Sequence, residues 1–212
     1  MVRTGARAEA LGAALASAGF QVAAKGPLAP RLDVLPADIW GAVVALYREL
    51  GGQQEQPVLR PGAWDLTLAG GVVIELDEEL HFNRYRARTL AEPWARNLPW
   101  RETYLVMCDQ HEDDCARAGS WGKRWTNESC ERMFGPAAPM ANLDAPGGAP
   151  RWKQRALYDA VKDAVATASG EPRVVRLAVH DEIGGVSLGA LLEGRGRVAS
   201  SELRALVEQR VA

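Results

Sequence analysis

The segment from Trp64 to His81 contains the clearest alternating pattern in the chain. Apolar residues alternate with polar or acidic ones on both sides of a glycine pair, Gly70 and Gly71. A period of two is typical of a half-buried β-strand, because successive side chains point to opposite faces of a sheet. The pattern therefore predicts a β-hairpin whose apolar face is formed by Leu66, Leu68, Val72, Ile74 and Leu76.

Two turns are compatible with the glycine pair. A two-residue loop would place Leu66 opposite Glu75. A three-residue loop over 69–71 places Leu66 opposite Ile74 and Asp65 opposite Glu75. We predict the second register, because it keeps each face uniform and because such loops often end in a residue with positive φ, which glycine adopts without strain.

The polar face of this hairpin concentrates negative charge. Opposed side chains in an antiparallel pair have Cβ atoms about 4.5–5.5 Å apart, so Asp65 and Glu75 would repel each other without a cation between them. The alternative is a solvent-exposed face that only keeps the hairpin soluble, but aspartate and glutamate are poor strand formers. We predict that a metal ion lies between these two acids.

Composition excludes several classes of protein. The chain has 212 residues, of which 47% are hydrophobic and 25% charged, and these are ordinary values for a globular protein. A net charge of −2 excludes a protein that holds nucleic acid by bulk charge alone. No apolar run is long enough for a membrane span or a signal peptide, and three cysteines fit a reducing compartment, so we expect a cytoplasmic protein.

Periodicity divides the chain into four regions. An N-terminal helix and connector occupy residues 1–36, and residues 37–90 contain a helix capped by Asp38, a short strand over 56–60 and the acidic hairpin. Residues 91–150 form a Trp-rich insertion. Residues 151–212 contain a helix over 151–166, a strand over 173–180, a Gly184-Gly185 turn and two short helical stretches.

Three arginines, Arg84, Arg86 and Arg88, follow the acidic strand within a few residues. They are consistent with a solvated helix start, and equally with a clamp for phosphate, because the arginine fork matches phosphate oxygens. His81 precedes them. A lone histidine is more often structural, but one four residues after Asp77 could reach a scissile group.

The insertion offers two further interpretations. A helix over 100–118 would carry Cys108, His111 and Cys115 on one face, and with Cys130 these residues have the chemistry of zinc ligands. A buried helix face is the favoured interpretation, because ligands spread over two turns cannot all reach one ion unless the helix breaks. Downstream, two cations between Trp121 and Trp125 suggest either base stacking or a loop pinned to the core.

These features resemble the PD-(D/E)xK, or restriction-endonuclease-like, superfamily, whose α/β core has the order helix, three-stranded meander, helix, strand. The resemblance covers residues 38–90 and 151–181, and the insertion between them is largely helical. Locally it is closest to the very-short-patch-repair endonucleases and their uncharacterised relatives, whose strand reads Ile-Glu-x-Asp-Gly followed by His. Here the strand reads Ile-Glu-Leu-Asp-Glu over 74–78, followed by His81.

The resemblance implies roles for individual residues. Asp65 and Glu75 would bind the metal, Asp77 would bind a second ion at the position where the superfamily has lysine, and His81 would assist. Some members take the lysine from the following helix, where Lys153 lies. In the same helix, Gln154 and Tyr158 are similar to the Gln-x3-Tyr motif of the RecB-like branch, whose residues contact nucleic acid.

The resemblance implies a Mg²⁺- or Mn²⁺-dependent endonuclease that hydrolyses DNA or a related nucleic acid. Because Asp77 stands where the superfamily has lysine, the alternative is an inactive module of the same fold that binds nucleic acid or a partner in a defence or repair system. A zinc-stabilised insertion with acids of no function is a third hypothesis. No membrane partner is expected.

Overall fold

A computed structural model describes residues 5–23, 29–139 and 142–212. These residues form a mixed α/β fold. The chain divides into two compact units, the first formed by Met1–Pro30, Ala63–Glu78 and Ser169–Ala212, and the second by Arg31–Gly62 and Glu79–Ala168. No helix within the described ranges has both the length and the apolar character needed to cross a membrane.

The elements follow one another along the chain in this order. The α-helices are α1 (Ala6–Ser17), α2 (Ala37–Glu49), α3 (Arg84–Thr89), α4 (Arg101–Gln110), α5 (Glu112–Ser120), α6 (Glu128–Phe134), α7 (Pro150–Ser169), α8 (Leu188–Leu192) and α9 (Ser200–Gln209). The strands are β1 (Leu66–Leu68), β2 (Val72–Asp77), β3 (Arg173–Ala178), β4 (Glu182–Ile183) and β5 (Val186–Ser187). Short 3₁₀ helices occupy Leu32–Val34, Glu79–His81, Pro93–Asn97 and Trp121–Lys123.

The main sheet of the first unit has the order β1-β2-β3. Strands β1 and β2 are antiparallel, with Leu66 opposite Ile74 and Leu68 opposite Val72, so the predicted hairpin and its pairing of Leu66 with Ile74 are confirmed. The three-residue loop ends in Gly71, whose φ of 76° is one that glycine adopts without steric cost. Strand β3 pairs with β2 in parallel, which places Arg176 opposite Glu75.

One face of this sheet forms the core of the first unit. Ile74 and Leu76 on β2 lie beside Val175 and Leu177 on β3, and all four are buried. They belong to one hydrophobic cluster with residues of α1 and α9. Full burial of such a side chain contributes about 1.5–3 kcal/mol, so this apolar face is sufficient to hold the hairpin in its register. The cluster members on the helices are Leu11, Leu15, Leu203 and Val207.

The opposite face of the sheet is also enclosed. Glu75 is 5% exposed, and Asp77 and Arg176 are 0% exposed. The interpretation in which these acids only keep an exposed hairpin face soluble is therefore wrong for Glu75 and Asp77. Strand β2 is buried along its whole length because it is the central strand, with β1 and β3 on its two edges.

Helix α7 is the centre of the second unit. Its residues Leu157 and Val161 share a hydrophobic cluster with Val43 and Leu46 of α2 and with Phe134 of α6. The predicted helices over 38–50 and 151–166 are thus confirmed. Asp38 does not cap α2, because the helix begins at Ala37 and Pro36 occupies the N-cap position.

Two elements predicted for the second unit differ from the structure. Residues 56–60 form no strand, because Pro57 has no N–H to donate to a sheet and Pro61 ends the segment. The helix predicted over 100–118 is divided into α4 and α5 at His111, whose φ of −117° and ψ of 14° lie outside the helical range. Its expected buried face nevertheless exists, since Tyr104, Cys108 and Cys115 are buried.

Candidate functional site

Asp65 precedes β1 and is held against β2 by two backbone contacts. Its amide donates a hydrogen bond to the Ile74 carbonyl at 3.1 Å. Its carboxylate Oδ2 accepts a hydrogen bond from the Leu76 amide at 2.8 Å. The Asp65 side chain is exposed, whereas Glu75 on β2 is buried. The Asp65 side chain therefore contacts β2 at the residue that follows Glu75.

Asp77 has a different environment. Arg176 donates from its Nη1 atom to both carboxylate oxygens, at 2.9 and 2.8 Å. Glu75 and Asp77 are two residues apart on β2 and so lie on one face, and Arg176 lies on the same face of the adjacent β3. The protein itself thus supplies a counter-charge for Asp77.

This ion pair bears on metal binding. Both oxygens of Asp77 contact the Arg176 guanidinium, and binding of a second ion by Asp77 stays a prediction. Asp65 and Glu75 offer carboxylate oxygens, which are the hard ligands that Mg²⁺ and Mn²⁺ prefer. Sequence reasoning did not select Arg176. An arginine within the apolar run Val174–Ala178 was the available signal.

His81 lies at the end of the 3₁₀ helix that follows β2 and contacts α7. Its Nδ1 atom is 2.9 Å from Oδ2 of Asp159, and the two side chains are 18% and 6% exposed. A carboxylate that accepts from Nδ1–H fixes the ring tautomer and makes Nε2 the basic nitrogen. Such a pair is equipped for proton transfer or for binding a metal.

Asp159 was missed by the sequence-based reasoning. It lies one turn before Asp163 on the inward face of α7, and both side chains are buried. The sequence did contain a signal for both acids, since they lie four residues apart among the apolar residues Leu157, Val161 and Ala164. Carboxylates on such an apolar helix face are buried only where a partner is present.

The three arginines proposed as a phosphate clamp all contact carboxylates. Arg86 is fully buried, lies 2.8 Å from Asp163 and donates to Thr89, which leaves it no surface for a polymer. Arg84 contacts Glu112 and Asp144, and its hydrogen bonds to these carboxylates raise the pKa of the guanidinium. Arg88 contacts Glu49 and Glu92.

Lys153, Gln154 and Tyr158 lie on the first half of α7 and are half-buried. The Lys153 ammonium is 5.5 Å from the centre of the Tyr85 ring, and burial lowers the pKa of this lysine. Gln154 donates to the sulfur of Met133 at 3.0 Å, and the Tyr158 hydroxyl lies 3.9 Å from the same atom. The two residues of the Gln-x3-Tyr pattern therefore share one contact on α6.

Among the residues that the structure describes, the four zinc candidates form no group of possible metal ligands. Cys115 is 3.5 Å from the side-chain nitrogen of Asn83, Cys130 is 3.2 Å from Gln154, and His111 is 3.0 Å from Asp114. Burial raises the pKa of the Cys115 thiol to about 12 and also raises that of Cys130.

Each unit also has a surface pocket. One of about 310 Å³ in the first unit is lined by Arg7, Glu193 and Arg195. One of about 360 Å³ in the second unit is lined by Gln53, Glu131 and Arg132. Neither pocket contains any of the candidate site residues that the sequence suggested.

Comparison with known proteins gives one match. The model of a family of unknown function, DUF7255, matches residues 45–194, which is more than half of the chain and includes the hairpin, α7 and β3. No curated protein and no solved structure matches the chain.

Proposed function

Because this chain belongs to DUF7255, a family of unknown function, its activity has to be argued from its own residues, and we propose that it is a Mg²⁺-dependent nuclease with a restriction-endonuclease-like core. The proposed substrate is DNA or a related nucleic acid. The observation that carries the proposal is in the hairpin, where the exposed Asp65 carboxylate accepts a hydrogen bond from the Leu76 amide, the residue that follows buried Glu75.

The order of elements supports the proposed core. Along the chain, α2 precedes the antiparallel hairpin β1-β2, and α7 precedes β3, which pairs with β2 in parallel. This order agrees with that of the restriction-endonuclease-like core, which is helix, three strands, helix and strand, except that the first strand of the expected meander is missing. The acidic residues lie on the central strand and beside it, as the proposal requires.

The chain's own contribution to the chemistry is to position carboxylates. The Leu76 amide holds one oxygen of Asp65, and β-ladder pairing on both sides of β2 fixes the backbone at Glu75. A divalent ion bound by such carboxylates lowers the pKa of a coordinated water and neutralises charge on phosphate. The proposed ligands are Asp65 and Glu75, and Asp77, which pairs with Arg176, is the proposed ligand of a second ion.

The two residues predicted to assist, His81 and Lys153, belong to the second unit, and their roles stay predictions. His81 is oriented by Asp159, so its imidazole can accept or donate a proton in a defined direction. Lys153 has a lowered pKa because it is half-buried, which makes loss of its proton easier than for an exposed lysine.

Cleavage of labelled single-stranded and duplex oligonucleotides by the full chain tests the proposal. With Mg²⁺ or Mn²⁺ we expect Asp65→Asn to lower the cleavage rate about 100-fold, because it removes a charged ligand. Asp65 is exposed, so this variant should fold. The matched control is Asp33→Asn, which changes an exposed carboxylate in the second unit. Equal rates for Asp65→Asn and the wild type would refute the proposed site.

A second candidate is an inactive module of the same fold that binds nucleic acid or a protein partner in defence or repair. The pairing of Asp77 with Arg176 favours it, because the position that carries lysine in active members of the superfamily is here a neutralised acid. Metal-independent binding of nucleic acid, with no cleavage under either metal, would select this candidate.

A further inference from the structure

The loop from Gly119 to Trp125 presents an aromatic ring to solvent. Trp121 is 73% exposed, whereas Trp100 and Trp152 in the same unit are fully buried. Tryptophan is highly buried on average because its large apolar surface is costly to hydrate. A ring held this far into water therefore points to a function outside the core.

The backbone of this loop is fixed in place. The Arg124 amide donates to the Gly119 carbonyl at 3.0 Å, and the Trp152 indole donates to the Arg124 carbonyl at 3.2 Å. Gly119 permits this approach, since a Cβ there would lie 2.2 Å from the Trp152 ring. The loop is thus anchored to α7, and the exposure of Trp121 does not result from a loose segment.

The same loop has an unusual backbone conformation. Gly122 has a φ of 66°, and the next residue, Lys123, has a φ of 53°, a left-handed conformation that side chains other than glycine rarely adopt. Such conformations persist only where the surrounding contacts enforce them, and they occur preferentially at binding sites. Their effect here is to reverse the chain directly after the exposed ring.

Two exposed cations accompany the ring. Neither Lys123 nor Arg124 forms a side-chain ion pair with any residue in the described ranges, in contrast to Arg84, Arg88 and Arg117 of the same unit, which contact carboxylates. The loop therefore carries two positive charges that its neighbours do not neutralise. An anionic ligand with a flat apolar face is complementary to this combination of ring and charge.

Among anionic ligands, a single strand of nucleic acid fits best. Its bases expose their faces for stacking, whereas a duplex hides them between neighbouring base pairs. An anionic membrane would also attract the cations, but it needs a broader apolar surface than one ring flanked by Ser120 and Gly122.

We propose that residues 119–125 are a stacking platform for single-stranded nucleic acid. Trp121 stacks on a base, and Lys123 and Arg124 neutralise the adjacent phosphates. This inference rests on the proposed function, from which it takes nucleic acid as the polymer. It adds that the nucleic acid is single-stranded where it contacts this loop.

Fluorescence anisotropy with a labelled 20-nucleotide thymidine strand tests the platform. The assay contains EDTA, so that cleavage does not contribute. We expect Trp121→Ala to weaken binding about 5- to 100-fold and Trp121→Phe to retain most of the affinity. Val106→Ala, which shortens an exposed apolar side chain on α4, is the matched control and should bind like the wild type.

Salt dependence tests the role of the cations. Replacing Lys123 and Arg124 together with alanine should reduce the slope of log affinity against log salt by about 0.7 per cation. Unchanged affinity in Trp121→Ala, or a Trp121-dependent association with anionic vesicles in place of the oligonucleotide, would overturn the platform even if metal-dependent cleavage is observed. Trp121-dependent binding without cleavage supports the platform and counts against the nuclease.

Discussion

Burying the Asp77 carboxylate removes the water that would otherwise stabilise its charge. In place of that water, Arg176 donates hydrogen bonds to the two carboxylate oxygens at 2.9 and 2.8 Å, and both side chains are completely buried. An enclosed pair of this kind adds little stability compared with two apolar residues, but loss of one member leaves an unpaired charge. The pair therefore makes the acidic face of β2 dependent on β3.

Replacement of Arg176 tests this dependence. We expect Arg176→Met to lower the free energy of unfolding by about 3–5 kcal/mol, because Asp77 then lacks its counter-charge. The double variant Asp77→Leu with Arg176→Met should be more stable than Arg176→Met alone. Urea unfolding followed by circular dichroism measures both quantities.

The same strand provides the control. Arg173 is exposed at the start of β3 and donates to the Gly70 carbonyl at 3.0 Å, so Arg173→Met should cost less than about 1 kcal/mol. If Arg176→Met were no more harmful than Arg173→Met, the ion pair would not stabilise the charge of Asp77.

At the scale of elements, local patterns in the sequence were informative where one period dominated. The alternation around Gly70-Gly71 predicted the hairpin down to the pairing of Leu66 with Ile74, and helical periodicity predicted α7. The predictions for short or ambiguous segments were wrong. Residues 56–60 are apolar at two positions but contain proline, and nothing in the local pattern marks the break at His111.

The hairpin turn permits a test at this scale. Gly71 has a φ of 76°, and a Cβ added there would have nothing within 4 Å, so Gly71→Ala has a purely conformational cost of about 1 kcal/mol. Gly41 lies inside α2 with equal space and without a positive φ. There, Gly41→Ala should stabilise the protein by about 0.5–1 kcal/mol. If urea unfolding showed that both substitutions stabilise the protein, or that both destabilise it, the proposed turn would be contradicted.

At the scale of the whole molecule, pairs distant in sequence could not be predicted. Asp77 and Arg176 are 99 residues apart, and His81 and Asp159 are 78 residues apart. A single sequence gives the period of each element but not which elements become neighbours. The positions of Asp65 and Glu75 could be predicted because the hairpin joins them locally, whereas Arg176 and Asp159 required the tertiary fold.

Within each unit, most of the charged candidate residues contact a side chain of opposite charge. The arginines of α3 contact carboxylates, and Arg176 binds Asp77, so a phosphate clamp at 84–88 has little free charge with which to act. The exposed cations beside Trp121 are better placed for contact with a polymer. We therefore propose metal binding at the hairpin and polymer binding at the 119–125 loop.

The central claim is that Glu75 holds a divalent ion used to hydrolyse nucleic acid. The most direct measurement is the single-turnover cleavage rate of a labelled oligonucleotide by the wild type and by Glu75→Gln, each with Mn²⁺ and with EDTA. We expect cleavage by the wild type only when metal is present, and a rate at least about 100-fold lower for a folded Glu75→Gln. Wild-type protein that cleaves nothing, or Glu75→Gln that cleaves at the wild-type rate, would contradict it.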